Sequence, residues 1–231
     1  MYEPRRVVFA FRPLAAALLT ALPLALSACG SVDPADSQPV TELRNQPEGF
    51  KPTDDGATLQ FNEPAKIVTT NFTSGVPVYW EVTVGPPKEL TVREVAEHLG
   101  RDPQNFDEKR AEPIRKFRCF KVTFTPLGTG LGRSDAPTTV ELPTLTPVDD
   151  FGTNANFVKT GAEQYCGLNP DEQVPAYTAD IEKGRPYETA VVTWEGHRDP
   201  GIVGTGVRLN TLISPRNPAQ PAQSVTWFEG N

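Results

Sequence analysis

Twenty-four of the 231 residues are proline, about twice the usual share of roughly 5%. Each proline ring fixes φ and removes a backbone donor, so it breaks helix interiors and central strands. A chain punctuated this way is expected to build short strands joined by turns, with no long helix. Disorder is not the consequence. Apolar residues make up 38% of the chain and include twelve Phe, five Tyr and three Trp, enough for one sizeable core.

The amino terminus follows other rules. Arg5, Arg6 and Arg12 form a positive region, and residues 14–26 (LAAALLTALPLAL) form an apolar run of thirteen residues interrupted by Pro23. A membrane span needs about 20 apolar residues, so this run is expected to be an export signal. Leu26-Ser27-Ala28-Cys29-Gly30 follows directly. It resembles the lipobox of bacterial prolipoproteins: an apolar residue, two small residues, then the cysteine that receives diacylglycerol. The resemblance implies cleavage before Cys29, lipidation of its thiol, and a cell-membrane anchor on the extracytoplasmic face. Two or three acyl chains hold firmly, since each buried methylene contributes about 0.8 kcal/mol. An ordinary secretory signal with a chance cysteine is the alternative. The Arg5-Arg6 pair matches the twin-arginine motif poorly, and general secretion is expected.

Residues 30–56 (GSVDPADSQPVTELRNQPEGFKPTDDG) are rich in Pro, Asp, Ser and Gln. They read as a linker, with an end-to-end distance on the order of 30 Å for a flexible chain. The expected organisation is a signal peptide over 1–28, a lipidated Cys29 with its linker over 29–56, and one domain over 57–231. Removing residues 1–28 takes away three arginines and Glu3, so the formal charge moves from −7 to −9. That acidity, with no polybasic stretch, argues against nucleic acid as a partner. With Cys29 acylated, Cys119 and Cys166 remain in a disulfide-permissive compartment and are expected to pair, closing a loop that contributes about 4 kcal/mol in the loop-entropy model. Two buried free thiols are the alternative.

Strand signals recur through the domain. They fall at residues 57–61, 65–70, 78–84, around 120–124, and at 138–142, 156–159, 187–194, 207–213 and 224–228. Alternation sets Val78, Trp80, Val82 and Val84 on one face and predicts Trp80 in the core. Phe120, Val122 and Phe124 alternate with Cys119, Lys121 and Thr123, so the cysteine is expected on the face opposite the aromatic one. One segment departs from this pattern. Thr91-Val92-Arg93-Glu94 is a capping box, Leu90 and Val95 suit a hydrophobic staple, and Gly100 suits a terminator. A helix over 92–99 is predicted, as a lid over an open end of the core, and Asp102-Pro103 is a second helix start.

The expected fold is all-β, an antiparallel sandwich with a short helical insertion. Residues 79–84 (YWEVTV), 147–152 (PVDDFG) and 183–186 (KGRP) before the strand at 187–194 resemble the immunoglobulin-like secreted proteins and lipoproteins of actinobacteria. That resemblance implies an immunoglobulin-like sandwich and an envelope location, with no catalytic residues to transfer. In antibody-type domains the tryptophan lies between the cysteines. Trp80 precedes both, so a disulfide packed on tryptophan is not expected.

No catalytic, metal or cofactor set emerges. Residues 195–199 (EGHRD) hold metal-type ligands, but the whole chain has two histidines, His98 and His197, and a solvated hairpin loop is expected. Asp149-Asp150, with Asp135 and Glu141, lacks a calcium-loop pattern, and residues 128–132 (GTGLG) lack the Gly-Lys-Ser/Thr of a phosphate loop and read as a flexible connection. Dispersed carboxylates leave a hydrolase open. Trp194, Trp227 and Tyr79 are read as packing residues, with a carbohydrate-stacking surface as the alternative. The function that fits is a non-catalytic, membrane-anchored module that binds an envelope protein or glycan.

Overall fold

In the computed structural model, residues 45–102, 114–130, 137–197, 199–214, 220 and 222–229 are described. Cys29, the expected export signal and residues 30–44 of the expected linker lie outside them, as does the expected second helix start beyond Asp102. Two sheets carry the fold. The first runs β1 (Ala57–Gln60), β9 (Ser224–Phe228), β8 (Gly206–Asn210), β6 (Thr144–Val148). The second runs β2 (Ala65–Thr70), β3 (Pro77–Val84), β5 (Ile114–Thr129), with β4 (Lys88–Thr91) and β7 (Tyr187–Gly196) also paired to β5. The sixteen residues of β5 organise this sheet: their second half pairs with β3, their first half with β4, and β7 lies along the other edge.

The sequence alternation explains the packing. Val78, Trp80, Val82 and Val84 face Phe120, Val122, Phe124, Leu209, Val225 and Trp227 in one core between the sheets. Trp80 meets Phe124 edge-on, with ring centroids 5.5 Å apart, the geometry that aromatic quadrupoles favour. Both buried indoles are hydrogen-bonded. The Trp80 N–H donates to Thr69 Oγ1 at 2.9 Å and the Trp227 N–H to the Glu63 carbonyl at 2.8 Å, which removes the cost of an unpaired buried donor.

The second sheet is covered on its outer face as well. Phe117 and Cys119 lie there with Ile114, Ala190 and Val192, under Leu90, Val95 and Ala162. The cover is α1 (Val92–His98) together with α2 (Ala162–Tyr165). The helix α1 has the expected capping box: the Glu94 amide donates to Thr91 Oγ1 at 3.2 Å, and the Thr91 amide donates to Glu94 Oε2 at 2.7 Å. The Thr91 amide and, less, the Thr91 hydroxyl donate to the Glu94 carboxylate and hold it below the usual carboxylate range. At the far end Gly100, at φ +61, donates to the Glu97 carbonyl, and Arg101 donates to that of Ala96, the Schellman pattern that only a left-handed residue completes without strain. The helix therefore seals a sheet face around Cys119. It is not a lid over an open end.

Several expectations need correction. The sandwich is not wholly antiparallel, because β1 pairs parallel with β9; strands at opposite ends of a chain have no hairpin to impose direction. Residues 138–142 make only an isolated bridge, Thr139 with Tyr177, and 156–159 form no strand. The short polar strand β4 and the proline-containing β6 were not anticipated. Gly128 and Thr129 belong to β5 and pair with Tyr79 and Val78, so the glycine-rich stretch is strand at its start. Residues 46–56 are part of the folded body: Phe50 is buried edge-on against Tyr79, the Thr53 amide bonds the Lys66 carbonyl at 2.8 Å, and Gly56 bonds Ser224. Gln223 reinforces this junction, its amide nitrogen donating to the carbonyls of Thr53 and Lys66 while its oxygen accepts from Val68.

Candidate functional site

Cys119 and Cys166 are brought together as a disulfide, with Cα atoms 5.8 Å apart across 47 positions of sequence. The bond ties β5 to the turn after α2, on the outer face of the second sheet, while Trp80 lies on the inner one. The departure from antibody-type geometry is thus physical. Other singled-out residues have structural roles. Glu195 ends β7 in ion pairs with Arg115 at 2.8 Å and Lys116 at 3.7 Å. The His98 ring nitrogen lies 2.8 Å from the Tyr165 carbonyl, which joins α1 to α2. Asp149 Oδ1 accepts from the amides of Phe151 and Thr153, closing a turn. Asp150 accepts from Thr205. Among the described residues no three His, Cys, Asp or Glu side chains gather at metal-binding distance; Asp135 lies outside them. Trp227 and Tyr79 are fully buried and Trp194 partly so, which leaves packing as their role.

A concavity lies elsewhere, on the flank where the edge strand of one sheet passes the edge strand of the other. It is a groove of about 250 Å³ between residues 142–145, at the start of β6, and Thr189, Ala190 and Val191 of β7. Phe157, Val158 and Lys159 close its upper end, and Glu163 of α2 reaches its rim. Its lining is mixed: Phe124, Val191, Leu142, Leu145 and Phe157 contribute apolar side chains, while more of the exposed lining is polar than apolar. Leu142 and Phe157 keep 36% and 41% of their surface exposed, so they serve this groove more than the core. Glu163 accepts from the Thr189 hydroxyl at 2.6 Å, and Lys159 is exposed with no ion pair among the described residues. A concavity that combines apolar side chains with placed polar groups is a candidate binding site.

The local sequence accounts for the groove. Gly161, in the left-handed region at φ +73, turns the chain away from the flank into α2. The segment 155–158 therefore covers only part of the flank. No residue of the groove carried a sequence signal of function. Leu142, Phe157, Val158 and Lys159 read as strand, and Glu163 carried no assignment.

No protein family, curated protein or solved structure matches this chain.

Proposed function

We propose that this chain is a membrane-anchored lipoprotein of the bacterial envelope whose immunoglobulin-like sandwich is a non-catalytic binding module for another envelope component, protein or glycan. The flank groove is the observation that carries the binding role, because it leaves Leu142, just before β6, and Phe157 exposed beside two strand edges. The anchor rests on residues 5–29: a basic stretch, a short apolar run and the lipobox ending at Cys29. No helix among the described residues is long and apolar enough to cross a membrane. Lipid at Cys29 supplies the attachment in this reading.

A Cys29→Ala variant is expected to lose lipid labelling and to leave the membrane fraction; unchanged membrane retention would overturn the anchor. Crosslinking in intact cells, with mass spectrometry of the captured species, is expected to recover an envelope partner through residues of the groove. A second reading, a hydrolase with dispersed carboxylates, draws on a larger concavity of about 750 Å³ lined by Asp150 and Glu229. Turnover of wall polymer by purified protein, abolished by Asp150→Asn, would establish that reading instead.

A further inference from the structure

Residues 155–158 display what the flank accepts. The Ala155 amide donates to the carbonyl of Pro147 in β6 and the Val158 amide to the carbonyl of Val192 in β7, each at 2.9 Å. Asn156 adds a weaker side-chain bond to the Trp194 carbonyl at 3.4 Å. A short extended stretch thus bonds both sheets at once. That is sterically natural, because packed sheets lie about 10 Å apart and neighbouring strands about 4.8 Å apart, so one strand fits between two sheet edges.

Strand parity extends the argument along the groove. Successive residues of a strand direct their main-chain groups to alternate edges. Val192 presents its carbonyl to the flank, and the β5–β7 register is uninterrupted from Val192 down to Tyr187. Ala190 and Glu188 therefore present N–H and C=O to the same edge. The opposite edge of β5 confirms the phase: Pro126 accepts from Gly184 on the β7 side, and Lys121 accepts from Gly85 on the other. In β6 the Pro147 carbonyl points to the flank, and by the same parity so do both main-chain groups of Leu145. Gly161 turns the chain into α2, whose Ala162 shares a packed cluster with Ala190 and whose Glu163 bonds the Thr189 side chain, but among the described residues no main-chain bond from this segment reaches Leu145, Glu188 or Ala190. Leu145 and Ala190 then face each other across the groove, both among its lining residues.

We propose that the open part of this flank, between Leu145 of β6 and Glu188 to Ala190 of β7, binds an extended segment of another polypeptide as an added strand. The inference rests on the binding-module reading and names its partner class. Donors and acceptors alternate on both edges, and a peptide main chain supplies the matching alternation on both of its sides; a glycan does not. One side chain of the incoming strand enters the apolar pocket between Leu142, Leu145 and Phe157. The rim charges select its neighbours. Glu188 is already paired with Lys121 and Glu163 with Thr189, whereas Lys159 awaits an acidic residue. Charged side chains beside an open edge also deter indiscriminate pairing, so an apolar residue alone is insufficient.

The test is a random heptapeptide display library panned against the intact chain in detergent. Selected peptides are expected to share an apolar residue flanked by an acidic one. With the commonest peptide bound, amide exchange at Leu145, Glu188 and Ala190 is expected to slow by about tenfold or more. Lys159→Glu, an exposed change that leaves folding intact, should weaken that peptide by about tenfold and shift the selected charge from acidic to basic. Ala190→Pro deletes one edge donor at a position where edge strands tolerate proline and should also weaken binding. Failure to select peptides, protection confined to another surface, or indifference to Lys159→Glu overturns the proposal. Crosslinking in cells separates this from the broader reading: a glycan, or a protein captured elsewhere on the domain, refutes strand addition while leaving a binding module in place.

Discussion

At the scale of single residues, Tyr79 shows how burial becomes a measurable property. Its ring is fully buried against Phe50 and Val68 on the outer face of the second sheet. Loss of water around the phenol pushes its pKa from 10.0 up to about 12. The folded state therefore keeps its proton where the unfolded chain has lost it. Stability that is complete below pH 10 is expected to fall by about 2–3 kcal/mol as the pH rises through the folded value. Denaturant unfolding followed across that window checks this, and Tyr79→Phe should flatten the decline. The same residue marks what a sequence pattern leaves out. Alternation placed Tyr79 opposite Trp80, and that is correct, yet the opposite face proved buried too. Its cover, Phe50, lies in a stretch whose Pro, Asp and Gln content resembles a linker. One aromatic side chain in polar surroundings was enough to tie it down.

At the scale of elements, the disulfide and the two helices form one unit on the outer face of the second sheet. Removing the bond with Cys119→Ala and Cys166→Ala is expected to cost about 3–4 kcal/mol. Hydrogen exchange should rise first in residues 156–169 and α2, whose attachment to the sheet depends on it, and last in β3 and the centre of β5. Uniform loosening of both sheets would contradict that assignment. Elements with a local mechanism were legible: the capping box and Gly100 defined α1, period-two alternation defined β3 and the centre of β5, and runs of β-branched and aromatic residues bounded by turns marked β1, β2, β7, β8 and β9. The strands β4 and β6 were not. The strand β4 (KELT) offers a single apolar residue, and β6 (TLTPV) contains a proline tolerated only because its nitrogen faces an unpaired edge. Residues 138–142 and 156–159 have the alternation of strands, but their apolar side chains line the groove, and almost no ladder forms beside them. The candidate site was illegible for that reason. A groove between two sheet edges depends on where edges end, and residues distant in sequence decide it.

At the scale of the whole molecule, closure of the first sheet depends on its last strand. The central positions of that sheet are taken by β9 and β8, and Val225 and Trp227 of β9 are fully buried in the shared core. Ending the chain after Ala222 would remove both side chains and leave β1 with no partner. Each such deletion costs several kcal/mol by the measure of large-to-small core changes, where Trp→Ala costs about 3–5. The truncated chain is expected to lose cooperative thermal unfolding altogether, as seen by circular dichroism, even with the Cys119–Cys166 bond intact. Persistence of a sharp transition would show that the second sheet and its helices fold alone.

The parallel pairing of β1 with β9 also gives the molecule a mechanical direction. Both strands start at the same pole, where the chain arrives at Ala57, so Phe228 leaves at the opposite pole. Tension applied through these two points runs along the strands and loads every rung of the ladder together. An antiparallel pair at the same position would be peeled open one rung at a time. Were the chain held at Ala57 and loaded at Phe228, this pair would be held in shear, the orientation in which a short ladder of weak bonds resists longest.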